Sequence, residues 1–177
     1  MTSTQNVDTQ GQTLLQVMKI PRMDYNTFKG HKVILWDTAS TENYVWKAHV
    51  EEMGFSGREE KMFVMTLGGD IKIIDRVIYV CKIRDLNSRV SKFKALGLES
   101  ITEPMECPLT IRQLRKMFSS HSGSNHLMGK EKVDYLIGLS KASWQPQRMT
   151  QAKGGGDMWT WHNQFGVCIG GMHPWIK

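Results

Sequence analysis

The sequence predicts an α+β fold: a single compact domain with a small antiparallel sheet packed by amphipathic helices, and a mobile N-terminal tail. Three observations carry this expectation. The chain has 177 residues, 40% hydrophobic and 23% charged, which is the size and composition of one globular domain. An Ile-, Val- and Tyr-rich stretch follows a Gly68-Gly69-Asp70 turn, as in a β-hairpin. Several other stretches place apolar residues at helical spacing beside basic ones. The boundaries expected are a flexible tail over 1–18 and one domain over 19–177.

Residues 1–18 are rich in Thr, Gln and Asn, with Leu14, Leu15 and Val17 as sparse apolar anchors. Val33-Ile34-Leu35-Trp36 is a short apolar run and reads as a buried strand. Residues 41–53 read as a helix, because Val45, Trp46, His49, Val50 and Met53 share one face of a 3.6-residue period. Met62–Leu67 and Ile71–Ile83 form the two arms of the hairpin, with Asp75-Arg76 a possible break in the second. From Arg76 onward the period is two, with Val77, Tyr79, Cys81 and Ile83 facing one way.

Asn87 is placed to cap a helix running to Leu96, with Val90, Phe93 and Leu96 on its apolar face. Thr110-Ile111-Arg112-Gln113 has the spacing of a capping box, and Leu109 and Leu114 sit at the staple positions. Residues 133–139 fit a strand or a helix, and their charged flanks favour the helix. Residues 145–156 read as a loop. Trp159 and Trp161 share one face of a strand, and 165–169 is its returning partner.

Several classes of protein are excluded or disfavoured. No apolar run reaches the ~18–20 residues of a spanning helix. The first 18 residues lack Lys, Arg and a long apolar core, so no secretory signal is expected. Three well-separated cysteines exclude a disulfide scaffold and fit a reducing compartment.

No catalytic constellation is found, and neither a metal nor a cofactor is expected. Lys153 before Gly154-Gly155-Gly156 lacks the spacing of a phosphate-binding loop. His162, Cys168 and His173 offer three potential ligands, or a thiol beside imidazoles, without the paired spacing of a zinc module. Glu51-Glu52 and Glu59-Glu60 are adjacent pairs, a poor geometry for shared acid–base work on a helix.

Charge gives the clearer signal. The net charge is +6. Residues 1–75 carry 8 basic and 10 acidic side chains, whereas residues 76–177 carry 15 and 7. Arg89, Lys92 and Lys94 on one expected helix, and Arg112, Arg115 and Lys116 on the next, make a cationic surface for phosphates or anionic lipid heads. Twelve methionines, with Trp159, Trp161 and Trp175, suggest an adaptable contact surface. Leu14, Leu15 and Val17 join these three tryptophans as the expected self-association set.

A small basic chain with a polar N-terminus, a hairpin over Phe63–Ile83 and cationic helices after it resembles the matrix protein of plant-infecting rhabdoviruses. The resemblance implies a viral structural protein that self-associates, condenses the ribonucleoprotein and links it to the inner face of the envelope membrane. It implies as partners other copies of itself, the nucleocapsid or RNA, an anionic membrane surface and a glycoprotein tail. The implied locations are the virion, the host cytoplasm, the inner face of host membranes and the nucleus. No site residue carries over. The chain lacks the Lys-rich tail of animal-virus relatives and has no Pro-Pro-x-Tyr motif. Two further readings stand beside it: a soluble, sequence-nonspecific RNA-binding viral accessory protein, and a small enzyme using Cys168, His162 and His173.

Overall fold

The structure, a computed structural model, describes residues 14–20, 32–65, 69–106, 109–118, 129–154 and 156–172. It is built on strands, and this overturns the expected α+β architecture. The strands are β1 (Leu14–Ile20), β2 (Lys32–Trp36), β3 (Tyr44–Trp46), β4 (Arg58–Met65), β5 (Ile71–Arg84), β6 (Val90–Leu98), β7 (Tyr135–Ile137), β8 (Gln147–Gln151), β9 (Asp157–Asn163) and β10 (Gly166–Met172). The helices are short: α1 (Lys47–Glu52), α2 (Ile111–Met117) and a kinked 3-10 segment at Leu139–Trp144.

The strands lie in the order β4-β5-β6-β3-β7-β2-β1-β10-β9-β8. β1 joins a six-stranded mixed unit to the three-stranded antiparallel unit β10-β9-β8. Two pairs are parallel, β2 with β7 and β3 with β6. Leu14–Met18, expected in the tail, therefore form most of an inner strand, paired to β2 on one edge and β10 on the other.

The two faces of the sheet bury different things. One face carries Ile34, Trp36, Val45, Tyr79, Cys81, Phe93 and Tyr135, covered by Val50 of α1 and by Trp144. The turn after β9 adds Phe165, which stacks on Trp36 at 5.8 Å and meets Trp144 edge-on at 5.1 Å. The Leu86 N–H donates to the Gln164 carbonyl, so the β5–β6 turn closes against the β9–β10 turn over this core. On the other face, Leu114 and Met117 of α2 pack with Leu109 on Met158 and Ile169. Nearer the middle, Ile101 and Met105 cover Val33, Leu35 and Val133.

Five local expectations change. The helix from Asn87 is strand β6, which pairs with β5 from Arg84↔Val90 to Ile78↔Leu96. Asp85 Oδ1 accepts the N–H groups of Asn87 and Arg89, and Ser88 takes φ 63°, so Asn87 sits in a hairpin turn rather than a helix cap. Residues 135–137 are strand β7, because the chain fills the gap between β2 and β3. The helix at 41–53 shrinks to α1, its start drawn into β3 by pairing with β6 and β7. Residues 147–151 form edge strand β8 against β9. Asp75-Arg76 makes no break in β5.

Several expectations hold, among them the buried strand at 33–36 and the strand of Trp159 and Trp161 with its returning partner β10. Residues 62–65 and 71–83 are a hairpin, with Tyr79, Cys81 and Ile83 buried on one face. The capping box is formed: Thr110 Oγ1 accepts from the Gln113 N–H, and Gln113 Oε1 accepts from the Thr110 N–H. β4 pairs with β5 over 71–78, whereas β6 pairs only from Ile78 onward. The distal hairpin is therefore a two-stranded arm, and Phe63 and Ile73, opposite each other on it, are 71% and 60% exposed.

Candidate functional site

β2 and β7 run parallel, and Asp37 and Gly138 immediately follow their ends. β2 ends in the buried residues Leu35 and Trp36, which fix where the next residue emerges. Asp37 is half-buried, and Thr38 and Ala39 after it are exposed. Asp37 Oδ1 accepts the Ala39 N–H at 2.9 Å, so the loop turns around its own carboxylate.

The loop is latched along its length. The Asp37 N–H donates to the Ile137 carbonyl at 3.1 Å, Leu139 N–H to Ser40 at 2.8 Å, and Ser140 N–H to Thr41 at 2.9 Å. Ser40 Oγ donates to the Glu42 carbonyl. Buried Asn43 closes the far end: its Oδ1 accepts from the Gly138 N–H and its Nδ2 donates to the Lys94 carbonyl. Gln145 Nε2 reaches the carbonyls of Ile137 and Gly138. Together these bonds hold one carboxylate in a fixed place. Among the described residues no cation pairs with Asp37.

The other end of the same two strands is pinned by Asp134. Its Oδ2 accepts the buried Val33 N–H at 2.8 Å, and its Oδ1 lies 3.5 Å from His49 Nδ1. His49 stacks on Trp46 and meets Tyr135 edge-on. Burial, and secondarily the charge of Lys32, push the His49 imidazole down to about 4, so it is neutral near pH 7. Burial raises the Asp134 carboxyl, with the Val33 N–H and Lys32 acting in the opposite direction. His49 Nε2 and the Tyr135 hydroxyl are buried without a hydrogen-bond partner among the described residues. This pair ties α1 and β2 to β7, and both groups are nearly inaccessible to solvent.

The sequence-derived cations fall into two groups. Lys92 and Lys94 stand on the outward face of β6, with Lys92 opposite Lys82, and Arg89 lies in the β5–β6 turn. Arg112, Arg115 and Lys116 are on exposed positions of α2, which packs over β9 and β10. Four strands separate β6 from β10 in the sheet. Leu14, Leu15 and Val17 are on inner strand β1. Trp159 and Trp161 share one face of β9, and Trp175 lies outside the described residues.

His162 pairs with Val167 and Cys168 with Trp161, so adjacent register positions send the His162 and Cys168 side chains to opposite faces. Burial pushes the Cys81 and Cys168 thiols up to about 12, away from nucleophilic character. His173 and Cys107 lie outside the described residues. Among the described residues no group of three or more His, Cys, Asp or Glu could hold a metal ion.

Sequence reasoning missed Asp37, because it looked for carboxylates paired along the chain. The available signal was an apolar run ending in Asp and followed by the small residues Thr38, Ala39 and Ser40.

Comparison with protein-family models, with curated proteins and with solved structures gives no match. No helix among the described residues is long and apolar enough to cross a membrane.

Proposed function

We propose that this chain is one half of a two-carboxylate peptidase, in which two copies related by a two-fold axis place their Asp37 side chains together around one water. The observation that carries this reading is the Asp37 loop: a carboxylate at the exposed end of a buried strand, fixed by backbone hydrogen bonds from the 137–140 segment. A two-fold axis brings identical loops face to face, and the small exposed residues Thr38 and Ala39 leave room for close approach.

Two carboxylates ~3 Å apart cannot both ionise, so they share a proton and divide acid and base roles. The ionised Asp37 takes a proton from the water as its oxygen forms a bond to the peptide carbonyl carbon. The protonated Asp37 of the second copy gives its proton to the carbonyl oxygen. The tetrahedral diol then collapses: the first Asp37, now protonated, gives its proton to the amide nitrogen, the second takes one from a diol hydroxyl, the C–N bond breaks, and acid and amine products leave. The β4–β5 arm, with exposed Phe63 and Ile73, supplies an apolar surface for the side chains of an extended peptide.

The test is cleavage of a mixed peptide library by the full chain between about pH 4 and pH 7. Wild type should cleave, and Asp37→Asn should lose at least ~10³-fold while keeping its circular dichroism spectrum. No cleavage by concentrated wild type, or equal cleavage by Asp37→Asn, would refute the reading.

A second reading is the matrix-type assembly protein. It is favoured by Lys82, Lys92 and Lys94 sharing the outward face of β5 and β6. Lys92 and Lys94 lie on strand β6 and not on a helix, while Arg112, Arg115 and Lys116 are on helix α2. Flotation with anionic vesicles tests it: Lys92→Glu with Lys94→Glu should abolish co-flotation, and absence of wild-type flotation would remove this reading.

A further inference from the structure

We propose a second site, independent of Asp37: a stacking platform for single-stranded nucleic acid built from Trp159, Trp161 and Arg148. The two tryptophans are two residues apart on β9, so both project from one face, ~7 Å apart along the strand. Arg148 on the neighbouring strand lies opposite Trp161. Its guanidinium is 5.4 Å from the Trp159 ring centroid and 4.9 Å from that of Trp161.

Polar contacts hold the ring edges. Trp159 Nε1 donates to Asp157 Oδ1 at 2.6 Å, and Trp161 Nε1 reaches the Gly170 carbonyl at 3.5 Å. Asp157 Oδ1 also lies 3.8 Å from Arg148 Nη1. The array thus has its orientation fixed before any ligand arrives. β8 is the terminal strand of the sheet and all five of its residues are exposed, so Arg148 stands at an open edge, while Trp159 and Trp161 are half-buried and Trp161 also packs against the main core.

The chemistry selects the occupant. Aromatic rings interleaved with a guanidinium stack bases and neutralise phosphate at once, and every base has a π-face to offer. Exposed Lys153, just beyond β8, adds a second cation at the same end of the sheet. A lipid surface would need an apolar patch without the buttressing carboxylate Asp157. The platform differs from the helix-borne basic patch expected from sequence, because it binds bases as well as charge.

The experiment uses the full chain and fluorescence anisotropy with labelled oligo(U), oligo(dT) and an abasic oligomer of equal length at low salt. Oligo(U) and oligo(dT) should both bind at least ~10-fold more tightly than the abasic strand, because stacking adds to phosphate contact. Trp159→Ala and Arg148→Gln should each weaken base-bearing strands ~10-fold and bring them toward the abasic value. Trp159 is half-buried at the open edge, and Arg148→Gln alters no core packing, so the second variant stands if the first fails to fold. Equal affinity for abasic and base-bearing strands, no binding of any, or unchanged binding in the folded variants would each overturn the proposal. Asp37→Asn should bind like wild type, which keeps this outcome separate from that of the peptidase reading.

Discussion

A Cβ placed on Gly138 would lie 2.6 Å from the Ser40 carbonyl oxygen and would also collide with the carbonyl of Glu42. Gly138 has an ordinary φ of −92°, so the constraint is contact and not backbone conformation. The loop that carries Asp37 therefore packs against this position at a distance only hydrogen allows. Gly138→Ala should destabilise the fold by about 1–3 kcal/mol in urea titration, because backbone rather than a flexible side chain must move. It should also reduce peptide cleavage more than it reduces stability at the same temperature. A variant with wild-type stability and activity would mean that the loop is not held as described.

His49 makes stability depend on acid. Its imidazole ionises near 6.5 in the unfolded chain but only at about 4 in the fold. Between these values the unfolded chain binds a proton that the folded one refuses, so stability falls as pH drops through this window. Asp134 acts with the opposite sign: its raised carboxyl takes a proton more readily when folded, which favours the fold at low pH. The His49 effect should be of order 1–2 kcal/mol after allowance for solvent screening. Urea midpoints measured at about pH 7 and pH 4.5 read it, and His49→Gln should flatten the difference. An unchanged slope in that variant would assign the acid sensitivity elsewhere.

Cys81 and Cys168 are both buried, and their thiols are pushed up to about 12 by that burial. Neither should react with an aromatic disulfide reagent in native protein at pH 8 on a timescale of minutes, and both should react on unfolding. Rapid modification of Cys168 in the native state, located by mass spectrometry, would revive a thiol-based mechanism.

Phe63 projects from the two-stranded arm, so changing it should hardly touch the fold. Phe63→Ser should alter stability by no more than ~0.5 kcal/mol. If the arm contacts substrate, the same change should raise KM for a cleaved peptide several-fold with a smaller effect on kcat. Equal kinetics in the variant would show that the arm takes no part in binding.

The parts of the fold that could be read from the chain are those decided locally. The β4–β5 hairpin was legible because Val77, Tyr79, Cys81 and Ile83 alternate without interruption and Gly69 takes φ 84° at the turn. α2 was legible because Thr110 and Gln113 satisfy each other within three residues. β6 was not, since Val90, Phe93 and Leu96 match a helical period and only pairing with β5 decides otherwise. β7 has three residues, and its strand character comes from neighbours far away in sequence, β2 and β3. The Asp37 loop was hidden for the same reason. Its anchors, Ile137 to Ser140, lie about a hundred residues away, and nothing near Asp37 signals them.

The shared-carboxylate account is tested most directly by mixing wild type with Asp37→Asn at constant total protein, under conditions that allow subunit exchange, and measuring peptide cleavage. If each active centre needs Asp37 from both copies, mixed pairs are inactive and the rate falls as the square of the wild-type fraction, to about a quarter at equal proportions. A rate that falls in simple proportion, to about half, would show that one chain acts alone and would contradict the account.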